Sequence, residues 1–225
     1  MHIPDNYLSP STCAVFVAAM LPVWRKASLC VRREITRQKM PLLGVGAAFS
    51  FLLMMFNLPL PGGTTGHAVG ASLVAILWGP YFAVLSISIA LAMQALFFGD
   101  GGILSLGVNC FNMAFVMPFT AFYLFKLINS RISGQKGRTV AAFIAGYLSL
   151  NVAAFLTALE FGIQPSLFTD TAGLPLYGPY GFGTAIPAMM IPHLLVVGIL
   201  EGLVTAGVYR YVSRVSPEFI YEGSL

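Results

Sequence analysis

The stretch YFAVLSISIALAMQALFF, residues 81–98, contains no charged side chain. Its length is close to the roughly 20 residues that a helix needs to cross the ~30 Å hydrocarbon layer of a bilayer. It shows no sustained alternation of polar and apolar residues, which would indicate a strand. Inside a bilayer only helices and closed barrels satisfy their backbone hydrogen bonds. The stretch therefore predicts a membrane-spanning helix that ends at the turn Gly99-Asp100-Gly101-Gly102.

The composition of the whole chain supports this prediction. Of the 225 residues, 57% are hydrophobic and 9% are charged, against about 25% charged residues in soluble domains. The mean hydropathy is +0.82, and 12 basic and 8 acidic side chains are too few to cover a soluble body of 24.1 kDa. Soluble enzymes and nucleic-acid-binding proteins are thereby excluded. The three cysteines form no Cys-x-x-Cys pair, which excludes a disulfide framework and a thiolate zinc site.

Six further apolar runs are separated by charges, prolines and glycines. The run before residue 81 is short and ends at Gly79-Pro80, and the run before that ends at Pro59-Leu60-Pro61-Gly62-Gly63. We therefore predict an all-α polytopic membrane protein with seven transmembrane helices, folded as a single membrane-embedded domain over residues 1–225. The predicted spans are 11–29, 40–58, 67–78, 81–98, 106–128, 140–162 and 184–212.

The positions of the basic residues predict how the chain lies in the membrane. Cytoplasmic loops carry an excess of Lys and Arg. With seven spans and the N-terminus outside, all 12 basic residues fall on the cytoplasmic side, whereas six or eight spans would mix them. We predict a cell-membrane protein with its N-terminus outside and its C-terminus in the cytoplasm. The basic residues are Arg25, Lys26, Arg32, Arg33, Arg37, Lys39, Lys126, Arg131, Lys136, Arg138, Arg210 and Arg214.

The chain opens with MHIPDNYLSPST and has no basic residue before Arg25, so it lacks the cationic start of a secretory signal. We expect the mature protein to begin at Met1, because a residue as bulky as His2 hinders removal of the initiator methionine.

A chain that begins Met1-His2 can chelate a metal ion at its end, in the segment 1–10. The α-amine of Met1, the amide nitrogen of His2 and the Nδ1 atom of His2 close two adjoining chelate rings, and Ni(II) and Cu(II) promote the loss of the amide proton. A ring nitrogen of His67 would complete a square-planar set of four nitrogens, which is diagnostic of Ni(II) or Cu(II). The alternatives are a frayed terminus and a hydrogen-bonded interfacial histidine. Gly66 and Gly70 permit close helix packing, which favours an interior position for His67.

Other polar residues are candidates for orienting these ligands from outside the coordination sphere. Asn109 and Asn112 lie three apart on one helical face, where helix–helix hydrogen bonding is the alternative role. Asp5, Thr64 and Thr65 are comparable candidates, with turn capping as the alternative.

Four other carboxylate and histidine residues are not among the predicted metal ligands. Asp100 is expected to form a turn, and Glu160 is expected at the membrane interface. Glu201 is the one carboxylate predicted deep in a span, and such residues usually face the bundle interior. Both a pairing with His193, about two helical turns earlier, and a contact with a partner protein would fit it.

Four stretches of this chain resemble the CbiM/NikM family. They are Met1-His2-Ile3-Pro4-Asp5-Asn6-Tyr7-Leu8-Ser9-Pro10, Gly63-Thr64-Thr65-Gly66-His67-Ala68-Val69-Gly70, Gln94-Ala95-Leu96-Phe97-Phe98-Gly99-Asp100-Gly101-Gly102, and Leu106-Gly107-Val108-Asn109 running on to Asn112-Met113. The proteins of that family are the substrate-capturing membrane subunits of energy-coupling-factor importers for cobalt and nickel. The resemblance implies a six-helix bundle with an added N-terminal helix, and Met1, His2 and His67 as metal ligands. The family usually has Gly at the position of Asn6, and Asn also tolerates a left-handed backbone.

The resemblance also implies partner proteins. They are a transmembrane coupling subunit and two cytoplasmic ATPases, and a small accessory membrane subunit is a further possible partner. The chain itself has no phosphate-binding loop for ATP. Gly44, Ala47 and Ala48 on the second predicted span are candidates for contacting the coupling subunit, and packing against lipid is the alternative.

Competing functions find less support in the sequence. No His-Glu-x-x-His and no Gly-x-Ser-x-Gly motif is present, so an intramembrane hydrolase lacks its catalytic set. A stand-alone metal carrier remains open, as does cobalt as the substrate. The planar nitrogen set favours Ni(II) over Co(II), and the Thr65-Gly66 pair before His67 resembles the nickel members of the family.

Overall fold

The computed structural model describes residues 1–34, 40–60, 64–132 and 134–220, without the side chains of Glu34 and Thr64. Arg37 and Lys39, which entered the prediction of orientation, lie outside the described residues, as do residues 61–63 of the predicted break.

The described helices follow the predicted order. The first three are α1 (Pro10–Glu34), α2 (Pro41–Met55) and α3 (Ala71–Trp78). Helix α4 (Pro80–Met93) continues into a π-helical turn, Gln94–Phe98. Helices α5 (Leu106–Asn109) and α6 (Met117–Asn129) are joined by the π-helical segment Cys110–Val116, and α7 runs over Gly134–Leu167. Helices α8 (Phe182–Pro192) and α9 (Gly198–Val215) are joined by the π-helical turn His193–Val197, and a 3₁₀ turn follows at Pro217–Phe219.

Two short strands depart from the prediction of an all-helical chain. Strand β1 (Leu58–Leu60) pairs antiparallel with β2 (Thr64–Gly66), so that Leu58 lies opposite Gly66. Helix α2 ends at Met55, and Pro59 lies in the extended chain beyond it, where its fixed φ is tolerated at a sheet edge. The hairpin carries the chain back toward the start of α3, and His67 follows directly after β2.

Five helical stretches in the described part of the chain are long and apolar enough to cross a membrane. Helix α3 is too short to do so alone, since its eight residues rise about 12 Å. Its predicted start at residue 67 is four residues too early, because Gly70 has a left-handed backbone (φ +75°) that begins the helix only at Ala71. The five stretches are Pro10–Arg33, Pro80–Phe98, Leu106–Asn129, Gly134–Leu167 and Phe182–Val215, with the shorter apolar helix Pro41–Met55 beside them.

Helix α7 is the centre of the bundle and packs against α6, α8 and α9. Glycines bring α7 and α9 close together. A Cβ atom on Gly146 would lie 2.9 Å from Oγ1 of Thr205, and one on Gly202 would lie 2.9 Å from the ring of Phe143. Gly202, which follows Glu201 on α9, is thus a point of close helix packing.

The candidate partner-contact residues on α2 do not share one environment. Gly44 and Ala48 are exposed, and nothing lies within 4 Å of a Cβ atom built on Gly44. Ala47 is buried inside the chain and is not available to a partner, which corrects its inclusion in that set.

Candidate metal centre

The N-terminal segment is folded into the bundle. Met1 is 5% exposed, and Ile3 is fully buried against Leu8, Cys13 and Val108. Asn6 turns the chain with a left-handed backbone (φ +71°), which confirms that Asn serves at this position. A terminus buried in this way is an ordered part of the structure, unlike a frayed end.

Hydrogen bonds from two neighbouring segments hold Ile3, next to His2. The side chain of Asn109 makes hydrogen bonds to both backbone groups of Ile3. Its Oδ1 accepts from the Ile3 N–H (2.8 Å), and its Nδ2 donates to the Ile3 carbonyl (3.1 Å). The Ser105 hydroxyl and the Gly102 N–H donate to the same carbonyl. Asn109 was predicted to orient a ligand ring; its observed contact is with the backbone beside His2.

Asp5 and Gln164 fix the rest of the segment. The Asp5 carboxylate accepts the backbone N–H groups of Ile103, Leu104 and Ser105 at 3.0 to 3.2 Å. Its close approach requires a glycine at position 102, because a Cβ atom there would collide with the carboxylate. Gln164 on α7 accepts the N–H of Ser9 (3.0 Å).

His67 is brought to the same place by the hairpin and the start of α3. It is 1% exposed, and its Nδ1–H donates to the carbonyl of Ala68 (3.1 Å). A neutral ring that is protonated at Nδ1 carries its lone pair on Nε2. This contact therefore leaves the Nε2 lone pair free to bind a metal ion. The interior position predicted for His67 is confirmed.

The rings of His2 and His67 lie side by side, with their centroids 4.6 Å apart. Nδ1–H of His2 donates to Oδ1 of Asp100 (3.0 Å), so Asp100, predicted only to form a turn, contacts a candidate ligand. With the ring in this orientation, chelation through Nδ1 requires the ring to turn away from Asp100.

A cavity of about 380 Å³ opens beside these groups. The buried Nε2 atoms of His2, His67 and His193 have no hydrogen-bond partner among the described residues. His193 was not predicted at this site; its Nδ1–H donates to the carbonyl of Met189 (2.7 Å), which leaves its Nε2 lone pair free as well. The cavity is lined by Met1, His2, Pro4, Tyr7, Asn57, Thr65, His67, Gly99, Asp100, Gly101, Phe161, Met189 and His193.

Burial favours the uncharged forms of the nitrogen groups. It lowers the pKa of the Met1 amine from 8.0 to about 6, against a smaller opposing effect of the Asp100 carboxylate. Burial also lowers the pKa of the His2 ring, although the hydrogen bond to Asp100 opposes this. The same hydrogen bond lowers the pKa of Asp100. At neutral pH the amine and the His2 ring therefore present lone pairs, the form in which nitrogen binds a metal ion.

Side chains alone do not form a metal cluster here. Within the described ranges, no group of three or more His, Cys, Asp or Glu side chains is arranged to hold an ion. The cavity is lined by Met1 and His2 as well as by His67 and His193, so nitrogens at the start of the chain lie there beside the imidazoles.

Some predicted residues lie elsewhere. Asn112 donates to Thr157 and to Glu160 (2.6 Å), away from the three candidate ligands. Glu160 is buried in that contact, and its predicted place at the membrane interface stays a prediction. Thr65 lines the cavity, whereas the side chain of Thr64 lies outside the described part of the structure.

Glu201 pairs with neither candidate considered from the sequence. Its Oε2 atom accepts the backbone N–H groups of Val69 (2.7 Å) and Gly70 (3.0 Å), just after His67. The pattern of polar residues along α9 carries no signal for this contact, because the acceptor meets backbone groups.

Comparison with known proteins identifies close relatives. A family model, CbiM, "Cobalt uptake substrate-specific transmembrane region", matches residues 2–219. The chain is 49% identical over 221 residues to the "Fused nickel transport protein NikMN" of Rhodobacter capsulatus, covering 98% of this chain and 64% of that protein. It is 48% identical over 226 residues to the "Probable fused nickel transport protein LarMN" of Lactiplantibacillus plantarum, covering 99% and 67%. The chain thus spans about two thirds of the length of these two curated relatives.

The fold also has a close counterpart among solved structures. A crystal structure described as a transition metal transporter matches with a TM-score of 0.91 and 49% sequence identity. The match covers 96% of this chain and 93% of the other.

Proposed function

The chain belongs to the CbiM family of cobalt uptake substrate-specific transmembrane regions, and from this membership and the geometry of the cavity we propose that it captures Ni(II) for import into the cell. It acts as the substrate-binding subunit of an ATP-driven energy-coupling-factor importer and catalyses no reaction itself. Residues 1–225 act as one membrane-embedded domain, and residues 1–10 are its metal-binding segment.

One observation carries the proposal: Met1, which bears the amine, lines the same cavity as His2 and His67, whose rings lie 4.6 Å apart between centroids. In the proposed complex the ion is held by the amine, the amide nitrogen and Nδ1 of His2, and Nε2 of His67. The ring of His2 turns away from Asp100 when the ion binds. Asn109 and Asp5 hold the segment in place through the backbone of residues 3 and 103–105.

Ni(II) is the proposed substrate for two reasons. A planar set of nitrogens that includes a deprotonated amide suits Ni(II) better than Co(II). In addition, the two relatives compared above are named nickel transport proteins. Co(II), which the family description names, is the alternative.

Transport requires partners in this proposal. The chain supplies no nucleotide-binding motif, so a transmembrane coupling subunit and two cytoplasmic ATPases provide the energy. A small accessory membrane subunit is a further candidate. The exposed small residues Gly44 and Ala48 on α2 are the proposed contact with the coupling subunit.

The proposed arrangement has seven membrane crossings, with the N-terminus outside and the C-terminus in the cytoplasm. The distribution of the basic residues supports it, since Arg25 and Lys26 lie near one end of α1 and the metal centre near the other. The metal centre then opens to the outer side, where the ion is captured.

Uptake of radioactive nickel into membrane vesicles tests this function. Vesicles that contain this chain with the coupling and ATPase subunits of its own cell are expected to accumulate nickel when ATP is present on the ATPase side. Vesicles with this chain alone are expected to bind nickel without accumulating it. Accumulation by the chain alone would support a stand-alone carrier instead, and a preference for cobalt in competition would replace the substrate.

A further inference from the structure

Glu201 is a buried carboxylate that connects the last long helix to the segment carrying His67. It lies on α9 and is fully buried. Its Oε2 atom accepts the N–H groups of Val69 and Gly70 at 2.7 and 3.0 Å. Its other oxygen, Oε1, has no hydrogen-bond partner in the described part of the chain.

The two N–H groups lie where the backbone has no helical acceptor for them. Helix α3 begins at Ala71, and the first N–H groups of a helix have no partner within it. Gly70 also has φ +75°, and a Cβ atom there would lie 2.7 Å from the ring of Phe49. The start of α3 is therefore held by an acceptor from another helix.

His67 depends on this anchor through its backbone. Its ring is tied to the carbonyl of Ala68, and that peptide group leads directly into the two N–H groups bound by Glu201. A shift of residues 69 and 70 would move the Nε2 atom of His67 relative to His2. In the described part of the chain, these two hydrogen bonds join α9 to residues 64–70, so the carboxylate is a connection that can transmit such a shift.

A buried carboxylate is also a costly way to hold two backbone groups. Its Oε1 atom is a buried polar atom without a hydrogen-bond partner in the described part of the chain, which is unfavourable, and an apolar side chain at this position would remove that cost. A role beyond filling the core accounts for its presence better than packing does.

We propose that Glu201 is the positioning residue for His67, and that it links the metal centre to helix α9. This inference rests on the proposed function, because it takes His67 to be a ligand of the ion. Glu201 does not touch the ion; it fixes the place of the fourth nitrogen.

The test compares Glu201→Leu and Glu201→Gln by nickel titration and by the visible absorption spectrum of the nickel complex, with His67→Ala as the reference. Leu removes the acceptor, whereas the amide oxygen of Gln can still accept both N–H groups. Glu160→Leu is the matched control. Glu160 is also a buried carboxylate, but it accepts a hydrogen bond from Asn112 instead of contacting the metal centre.

We expect Glu201→Leu to bind nickel as weakly as His67→Ala does, about 100-fold below the wild type and so at the upper end of the loss for residues that orient metal ligands, and to show the spectrum of His67→Ala. Adding His67→Ala to Glu201→Leu should then cost nothing further. Glu201→Gln and Glu160→Leu should keep the wild-type spectrum. If Glu201→Leu weakened nickel binding only by destabilising the fold, the spectrum would instead stay unchanged. Its loss of binding free energy would then add in full to that of His67→Ala in the double variant.

Either of those two results in Glu201→Leu, an unchanged spectrum or full additivity, would overturn the inference. If Glu201→Leu does not fold, Glu201→Asp replaces it, because its shorter side chain cannot reach both N–H groups; a wild-type spectrum in that variant overturns the inference equally. Wild-type protein that binds no nickel would overturn the proposed function and this inference together. If the wild type binds nickel and Glu201→Leu, or Glu201→Asp in its place, binds it unchanged, this inference alone is overturned.

Discussion

The imidazole rings of His2 and His67 lie 4.6 Å apart between centroids, although helices α1 and α2 and the β-hairpin separate the two residues along the chain. Each ring has a buried Nε2 atom without a hydrogen-bond partner in the ranges described. A buried lone pair without a partner is costly unless something binds it, and in the proposed complex the ion binds Nε2 of His67 and, once the ring of His2 has turned, Nδ1 of His2. Their proximity is the relationship from which the proposed nickel site follows.

Replacing His67 with Ala should leave a nickel complex that is weaker and spectroscopically different. The start of the chain still offers three nitrogens, and water takes the place of the imidazole. Since even a residue that only orients a ligand costs 10- to 100-fold in affinity, we expect a loss of at least about 100-fold. Calorimetric titration measures the affinity, and an affinity equal to that of the wild type would show that His67 is not a ligand.

Asn109→Ala should weaken nickel binding without changing the ligands. It leaves the buried N–H of Ile3 without its acceptor, and an unpaired buried group costs about 1–3 kcal/mol. The variant therefore holds the segment less firmly in the place from which it binds the ion, and we expect an affinity about 10-fold lower with the wild-type spectrum. Asn112→Ala is the control, because Asn112 contacts Thr157 and Glu160 only. Equal losses in the two variants would contradict the role assigned to Asn109.

Nickel affinity should fall with pH more steeply below about pH 6 than above it. Burial lowers the pKa of the Met1 amine from 8.0 to about 6, so above pH 6 the amine is already unprotonated in the folded protein. Below that pH the ion must displace a proton from the amine as well as from the amide, and the number of protons released per ion rises. Titrations between pH 8 and 5 measure this number.

A short peptide with the same first residues is the comparison for the pH titration. Its amine keeps the ordinary pKa of about 8, so its steeper fall should begin below pH 8. An affinity of the protein that does not change between pH 7.5 and 5.5 would rule out a ligand set that contains the amine.

Gly44→Leu combined with Ala48→Leu should abolish capture of the coupling subunit. Both residues are exposed on α2, and nothing lies within 4 Å of a Cβ atom on Gly44, so the larger side chains fit without disturbing the fold. They would separate α2 from a closely packed partner helix. Co-purification measures the contact, while nickel binding is expected to stay at the wild-type level. Recovery of the partner with the double variant would exclude this surface.

The sequence predicted most of the helices, and it singled out Met1, His2 and His67, which the structure places at one cavity, because both predictions depend on local patterns. Uncharged runs predict helices wherever they occur, and a histidine at position 2 has its chelating chemistry regardless of the fold. The glycine at position 70 also carried a signal, although it marked the start of α3 rather than a position within it. The hairpin at residues 58–66 had only the weaker signal of its prolines and glycines.

Contacts between side chains and distant backbone groups could not be predicted in the same way. Asp100 reaches His2, Asn109 reaches Ile3 and Glu201 reaches Val69, and each contact depends on how helices far apart in sequence pack. Backbone N–H and C=O groups occur at every residue, so no residue pattern identifies which one a carboxylate or an amide will meet. The burial of Ala47 depends on packing in the same way.

Nickel titration of a variant with one alanine inserted between Met1 and His2 tests the central claim most directly. The insertion separates the amine from the His2 amide and ring, and intact-mass measurement checks that each protein begins at the intended residue. An alanine inserted after the exposed Gly173 is the matched control. We predict that the wild type and the control bind one nickel ion with a square-planar absorption band, and that the insertion after Met1 abolishes both the band and tight binding. Nickel binding that is unaffected by that insertion would contradict the account.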